Sequence, residues 1–60
     1  MKLLNITQLS EMINVKRKTI YDWVHKGQIP NVKIGRLVRF DLNEIERWIK
    51  GKKRNKIAEN

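Results

Sequence analysis

A short segment in the middle of the chain, residues 15–27, sets apolar residues at a helical spacing among basic ones. The apolar positions follow an i, i+3, i+4 pattern and are Ile20, Trp23 and Val24. This pattern predicts a short helix with one buried stripe. At about 100° per residue, the side chains that point away from the stripe are Lys18, Asp22 and His25. The rest of the chain must therefore hold this helix against a core, with a polar face outward that suits a groove of DNA.

The length of the chain and its lack of cysteine limit the folds that can hold the central helix against a core. A chain of 60 residues forms one domain and buries only about 60% of the surface that its unfolded form exposes. Because it has no cysteine, neither a disulfide nor a thiolate metal site can support it, as is usual in cytosolic proteins. No segment has the length of a signal peptide or a membrane span. We therefore expect a cytoplasmic protein with a small core and no membrane partner.

The charge of the chain indicates the kind of partner. Fourteen Lys and Arg residues stand against six Asp and Glu, which gives a net charge of +8. Such a balance favours a polyanion, but by itself it does not separate DNA from RNA or acidic lipid. The positions of the basic residues along the chain must therefore distinguish between these partners.

Residues that favour the start and the end of a helix precede the central segment. Asn5 and Gln8 fit a capping box, which predicts that a first helix begins at residue 6. An apolar stripe continues this helix to residue 13. Asn14 tolerates the left-handed conformation and predicts a tight turn into the central helix. Two helices joined by a three-residue turn form a helix-turn-helix.

The chain changes structure after the central helix. Gly27 predicts the end of that helix, and Pro30 prevents its continuation. Residues 32–34 and 38–40 are β-branched and aromatic runs with alternating polarity. Together with Gly35 between them, they predict a β-hairpin.

The length of the hairpin loop decides which residues share a face. A three-residue loop pairs Ile34 with Val38 and gives one clean apolar face, because Val32 then lies opposite Phe40. A two-residue loop would pair Ile34 with Leu37 and mix the faces. The sequence pattern therefore favours the three-residue loop.

A third helix follows the hairpin. Asp41 and Glu44 fit a second capping box, which predicts a helix that begins at residue 42, and Gly51 predicts its end near Lys50. Residues 51–60 have too little apolar surface to offset the cost of ordering them. The chain thus divides into a domain of residues 1–50 and a tail of residues 51–60, which we expect to be disordered and basic.

The order helix, helix, β-hairpin, helix predicts a winged helix-turn-helix, a mainly α fold of the α/β class. The predicted core draws on every segment and consists of Leu4, Leu9, Met12, Ile13, Val15, Ile20, Trp23, Val24, Ile29, Val32, Ile34, Val38, Phe40, Ile45, Trp48 and Ile49.

Several short runs resemble the excisionase-like small winged-helix proteins, relatives of MerR-type DNA-binding domains. The runs are Leu3-Leu4-Asn5, Val15, residues 19–24, Gly27-Gln28-Ile29-Pro30, Lys33-Ile34-Gly35-Arg36, Val38-Arg39-Phe40 and Trp48. The resemblance covers residues 3–50. It implies a recombination directionality factor of a phage or other mobile element, with its second helix in the major groove and its wing on the adjacent minor groove or backbone. The family usually has Ser where Lys16 stands, an N-cap that lysine cannot provide.

Two groups of residues are candidates for DNA contact. The recognition-helix group is Lys16, Arg17, Lys18, Thr19, Tyr21, Asp22 and His25. The wing group is Lys33 and Arg39, on the face opposite the apolar one, with Arg36 at the tip. Their position in a helix-turn-helix favours base and phosphate contacts. Alternatively, the helix cluster is a solvated basic face and the wing cluster protects a sheet edge.

Asp22 allows two interpretations. Lys18 and Lys26 lie four residues to either side of it and are possible ion-pair partners. Its carboxylate is equally suited to accept a hydrogen bond from a cytosine amino group.

The residues exclude catalysis as the function. The sequence has one His, no nucleophile and base at a recognisable spacing, no metal-ligand cluster and no phosphate-binding glycine loop. We therefore expect no catalytic residue, metal or cofactor. The expected partners are double-stranded DNA, a site-specific recombinase (integrase) and neighbouring copies of the chain, bound as direct repeats by a protein that is monomeric in solution. A small transcriptional regulator and a protein-interaction module for an acidic partner are the alternative functions.

Overall fold

The computed structural model describes residues 1–53. Its elements in chain order are β1 (Leu3–Leu4), α1 (Ile6–Ile13), α2 (Arg17–His25), β2 (Val32–Ile34), β3 (Leu37–Asp41) and α3 (Leu42–Lys52). The predicted winged helix-turn-helix is confirmed. The short strand β1 was not predicted, and it completes an antiparallel sheet with the order β1-β3-β2. It is a strand because Leu3 and Leu4 pair with Asp41 and Phe40, which only the folded chain brings near.

The start of α1 and the turn after it are fixed by local hydrogen bonds. The Asn5 side chain accepts from the Gln8 N–H at 2.8 Å, and the Gln8 side chain accepts from the Asn5 N–H at 2.9 Å. Asn14 ends the helix in the left-handed conformation, with φ at 58°. The Ser10 hydroxyl then donates to the Val15 carbonyl at 2.6 Å, and the Val15 N–H donates to the Ser10 carbonyl at 3.1 Å. The predicted capping box and tight turn are both confirmed.

The two ends of α2 differ in how well they are capped. Lys16 has the extended N-cap conformation, but among the described residues no side chain supplies the cap hydrogen bond. At the other end Gly27 has φ at +67°. This conformation allows the Gln28 N–H to donate to the Trp23 carbonyl at 2.8 Å and the Gly27 N–H to donate to the Val24 carbonyl at 3.1 Å. These two bonds form a Schellman motif. The predicted glycine stop is therefore confirmed.

Six buried side chains form the centre of the core, and each comes from a different part of the chain. They are Leu4, Leu9, Ile20, Ile29, Phe40 and Ile45, all of which were predicted. Trp23 and Trp48 pack at the edge of this cluster, with ring centroids 5.6 Å apart and an angle of 61° between the planes. The indole N–H of Trp48 donates to the Gln28 carbonyl at 3.1 Å. The tryptophans thus join α3 to the end of α2.

Four predicted core residues lie outside this cluster. Met12, Ile34 and Ile49 are exposed, with 45%, 50% and 39% of their surface accessible, and Val32 is only half-buried. Met12 and Ile49 line one open depression between α1 and α3, which no further element of the described chain fills. For Val32 and Ile34, the cause is the register of the hairpin.

The predicted register of the hairpin is wrong. Ile34 pairs with Leu37, Lys33 with Val38 and Val32 with Arg39, so the loop has two residues. Gly35, the first of them, has φ at +62°. A glycine in this position suits the type II′ turn, whereas a three-residue loop usually needs its left-handed residue at the last position, which here is a leucine. The position of Gly35 therefore indicates the two-residue loop. The prediction was wrong because it gave more weight to the apolar pattern than to this glycine.

Helix α3 also departs from the prediction at both ends. Asp41 is the N-cap as predicted, but its carboxylate accepts from the Asn43 N–H at 3.1 Å rather than from Glu44. Gly51 is not the C′ residue, since the helix continues to Lys52. The Lys52 ammonium lies 5.0 Å from the centre of the Trp48 ring, and this contact favours the two additional helical residues. Of the predicted tail, residues 54–60 lie outside the described part.

We predict that Lys16→Ser stabilises the protein. The Lys16 backbone already has N-cap geometry. A serine hydroxyl can accept from an unpaired N–H of the first turn, which is worth about 1 kcal/mol. Urea denaturation of the wild type and the variant measures the change in the free energy of unfolding.

The control is Lys16→Ala, which removes the same charge without adding a cap. If the alanine variant gains as much stability as the serine variant, the effect comes from charge and the capping argument is wrong.

Candidate nucleic-acid interface

The exposed side of α2 gathers most of the predicted recognition residues. Five of the seven line one shallow depression: Lys18, Thr19, Tyr21, Asp22 and His25. All five are exposed, while Ile20 is buried and Trp23 and Val24 pack against the core. The helix therefore turns its apolar stripe inward and presents a continuous polar face, as its sequence pattern predicts.

The other two residues lie at the start of α2. Lys16 is the N-cap and Arg17 the first helical residue, and both are exposed. One Arg17 guanidinium nitrogen is 3.5 Å from the Thr7 hydroxyl of α1, at the limit of a hydrogen bond. The contact is weak enough for the guanidinium to leave it for a phosphate.

Asp22 has an ion-pair partner within its own helix. Its Oδ2 lies 3.1 Å from the Lys26 Nζ, four residues later, and the two side chains are 55% and 60% exposed. An exposed pair at this spacing contributes about 0.2–0.5 kcal/mol. Of the two partners that the sequence allows, the structure selects Lys26 and leaves Lys18 outside the pair. Because the pair is weak, it does not prevent the carboxylate from binding a ligand.

The wing carries its basic residues on two faces. Lys33 shares a face with Val38, its cross-strand partner, whereas Arg39 lies opposite Val32 on the other face. The prediction that Lys33 and Arg39 share one face is therefore wrong, for the same reason as the register. One Arg39 guanidinium nitrogen donates to the Val38 carbonyl at 2.8 Å, which restrains this half-buried side chain. Arg36 is exposed in the two-residue loop, as predicted for the tip.

The part of the chain that forms α2 and the hairpin is strongly positive. Residues 16–39 contain seven of the fourteen Lys and Arg residues and one of the six acidic residues, Asp22. Helix α1, in contrast, carries a single charged residue, Glu11. The surface made by α2 and the wing therefore attracts anions more strongly than the side of the molecule that α1 forms.

Leu37 is an exposed residue of the wing that the predicted contact groups do not include. The sequence pattern placed it in the loop, whereas it lies in β3 and is 53% exposed. Gly35 at the first position of the loop is the signal that could have indicated the outward position of Leu37.

Residues 1–53 contain neither a metal-ligand cluster nor a membrane-spanning helix. No three His, Cys, Asp or Glu side chains of these residues come close enough to hold a metal ion. No helix of this part of the chain is both long and apolar enough to cross a bilayer.

A comparison with family models identifies the kind of domain. A model described as a helix-turn-helix domain matches residues 3–53, which extend from the first residue of β1 to the C-cap of α3. The chain belongs to this helix-turn-helix domain family. Members are small DNA-binding domains. The comparisons with curated proteins and with solved structures gave no match.

Membership of the helix-turn-helix family assigns positions to the elements. Helices α1 and α2 with the turn at residues 14–16 are the helix-turn-helix itself, and the polar depression lies on the second of the two helices. The second helix is the one that enters the major groove in proteins of this architecture. The five residues that the fold gathers are thus on the second helix of the helix-turn-helix.

Proposed function

We propose that this protein binds double-stranded DNA in a sequence-specific way and serves as an excisionase of a mobile element. The observation that carries DNA binding is the exposed polar face on the second helix of a helix-turn-helix domain. The charge around it supports the same partner, since residues 16–39 hold seven basic residues and one acidic residue. A cytoplasmic location belongs to the same proposal.

The side chains of α2 divide into those that contact bases and those that contact phosphates. Lys18 and Asp22 lie on the exposed face and read base edges in the major groove. Lys16 and Arg17, at the first turn, bind phosphate, where the positive end of the helix dipole adds to the attraction. Thr19, Tyr21 and His25 complete the surface with hydroxyl and ring N–H groups that reach phosphates or base edges.

Asp22 accepts a hydrogen bond from the amino group of a cytosine. A carboxylate next to DNA phosphates is repelled, so its presence on this face needs compensation. The Lys26 ammonium at 3.1 Å supplies part of that compensation, and the weak pair leaves the carboxylate able to bind a base. The ion pair and the base contact are therefore compatible.

The wing adds affinity with little base specificity. Lys33, Arg36 and Arg39 bind the backbone or the adjacent minor groove. Since Lys33 and Arg39 lie on opposite faces of the hairpin, they reach phosphates on the two sides of it. Arg36 at the tip reaches farthest.

Excision is the biological role that we assign to this binding. The runs at residues 27–30, 33–36 and 38–40 resemble those of excisionase-like proteins related to MerR-type domains. An excisionase bends DNA between recombinase sites and acts with a site-specific integrase, which makes the integrase a second partner. The acidic-partner module does not account for a polar recognition face on α2.

We predict that Arg36→Ala and Asp22→Asn weaken DNA binding in different ways. The arginine change should lower affinity for all duplexes and reduce the salt dependence of binding by about one phosphate contact. The aspartate change should alter the preference at one base pair by about 1–3 kcal/mol. Site selection from a random duplex library, followed by titrations at two salt concentrations, measures both effects.

The control for Arg36 is Arg47→Ala, which removes the same charge from an exposed position on α3. It should leave the salt dependence nearly unchanged. An unaltered base preference in Asp22→Asn would mean that this carboxylate only pairs with Lys26. A wild-type protein that selects no duplex from the library would refute DNA recognition as the function.

Excision is tested with an integrase and attachment site found next to the coding sequence. We expect that integrase to excise the element efficiently only when this protein is present, because bent DNA brings its binding sites together. Recombinant junctions are counted with the wild type and with Arg36→Ala. If excision is independent of the protein while specific binding persists, the function is that of a transcriptional regulator.

We also predict that the free protein is monomeric and binds adjacent sites as direct repeats. Helix α3 has 11 residues, which is too short for the several heptads of a coiled-coil dimer, and its residues Ile45 and Trp48 pack in the domain's own core. Copies that touch head to tail form an open array along DNA. Sedimentation of the free protein measures its oligomeric state, and footprinting of the complex shows whether the bound sites are direct repeats. A free dimer that protects an inverted repeat would contradict both.

A further inference from the structure

The tip of the wing exposes a pair of apolar side chains. Ile34 and Leu37 lie directly opposite each other, on either side of the two-residue loop, and are 50% and 53% exposed. Paired residues point to the same side of a sheet, so the two side chains form one patch. The patch is on the face away from Val38 and Phe40, which pack in the core.

The register of the hairpin is what turns this pair outward. Phe40 is fully buried and Val38 packs beside it, which fixes one face of β3 to the core. Leu37 and Arg39 alternate with them and therefore face solvent. Because the loop has two residues, Ile34 joins Leu37 on the solvent face instead of Val38 on the core face. No residue of the described chain covers the pair.

The charges beside the pair indicate what covers it. Residues 32–40 contain three basic residues and no acidic one, and Arg36 is one of the two residues of the loop that joins Ile34 to Leu37. A patch with this border fits a partner that is strongly negative but has apolar surface between its charges. The minor groove of DNA has this chemistry, because its deoxyribose walls lie between two rows of phosphates.

We propose that Ile34 and Leu37 contact deoxyribose in the minor groove, on either side of Arg36. The inference rests on the proposed DNA binding and adds to it a contact that no charge supplies. The minor groove is about 6 Å wide, so a hairpin enters it with its tip and not with its whole width. The tip of this hairpin consists of the loop and the apolar pair. Isoleucine and leucine side chains are among those that minor-groove proteins press against DNA to widen and bend it.

The test compares the double variant Ile34→Thr, Leu37→Thr with the wild type on a short duplex that carries the site selected from the random library. Threonine has the β-branched shape that strands favour and removes apolar surface. We expect affinity to fall about tenfold, with an unchanged dependence on salt, because no ionic contact is lost. Hydroxyl-radical protection of the sugars under the wing should disappear, while protection of guanine N7 in the major groove should stay.

Two controls separate this contact from general effects. Met12→Gln removes apolar surface from a side chain that is similarly exposed on α1, and it should leave affinity unchanged. The single variants Ile34→Thr and Leu37→Thr should each lose part of the affinity. Because both side chains are half exposed, we expect thermal unfolding of all variants to stay close to that of the wild type.

The outcomes are distinct. Unchanged affinity and footprint in the double variant, with a wild type that still prefers its site, would overturn the inference and leave the proposed function intact. Loss of cooperative binding to adjacent sites, without loss at a single site, would assign the pair to a contact with a second copy and also overturn it. A wild type that prefers no duplex would reject the proposed function and this contact together.

Discussion

The burial of Phe40 is the interaction on which the rest of the fold depends. Phe40 lies in β3, the central strand of the sheet, and it is fully buried. Its strand pairs with β1 on one side and β2 on the other, while α1 and α3 pack against it. The core has only six buried side chains, and each comes from a different part of the chain. The loss of one of them therefore leaves its part of the chain without a fully buried contact. Removing a ring of this size from such a core would cost about 3–5 kcal/mol, a large share of the stability of a small domain.

Local devices hold the recognition helix at a defined angle to that core. The Asn5–Gln8 box starts α1, the Ser10–Val15 bonds close the turn, and the Schellman motif at Gly27 ends α2. Each device satisfies backbone groups that a short helix leaves unpaired. The unsatisfied end is the start of α2 at Lys16, where a basic residue stands in place of a cap. The lack of a cap lowers the stability of the first turn of α2. A phosphate bound at Lys16 would accept hydrogen bonds from the same N–H groups and restore that stability.

The surface separates two kinds of contact that DNA requires. The depression on α2 combines hydrogen-bonding groups of both signs, which suits the donor and acceptor pattern of base edges. The wing combines three positive charges with an outward apolar pair, which suits a backbone and its sugars. In the proposed function, base preference and general affinity therefore depend on different elements, and substitutions can separate them.

The sequence by itself determined the features that local chemistry decides. Caps and turn residues at Asn5, Asn14 and Gly27 act within a few residues, so the bounds of α1 and the end of α2 follow from reading them. The helical spacing of apolar residues likewise predicted the inward stripe of α2 and the outward face with Lys18 and Asp22. All six residues at the centre of the core were also among the core residues predicted from the sequence.

Tertiary structure decided the features in which distant segments compete. The hairpin register set two sequence signals against each other, an apolar pattern that favours one pairing and the left-handed conformation of Gly35 that favours another, and the folded chain follows the turn. Strand β1 exists only because β3 is beside it, and α3 continues past Gly51 where Lys52 meets the Trp48 ring. Such outcomes depend on small differences in packing free energy between whole arrangements, and a sequence pattern does not contain those differences.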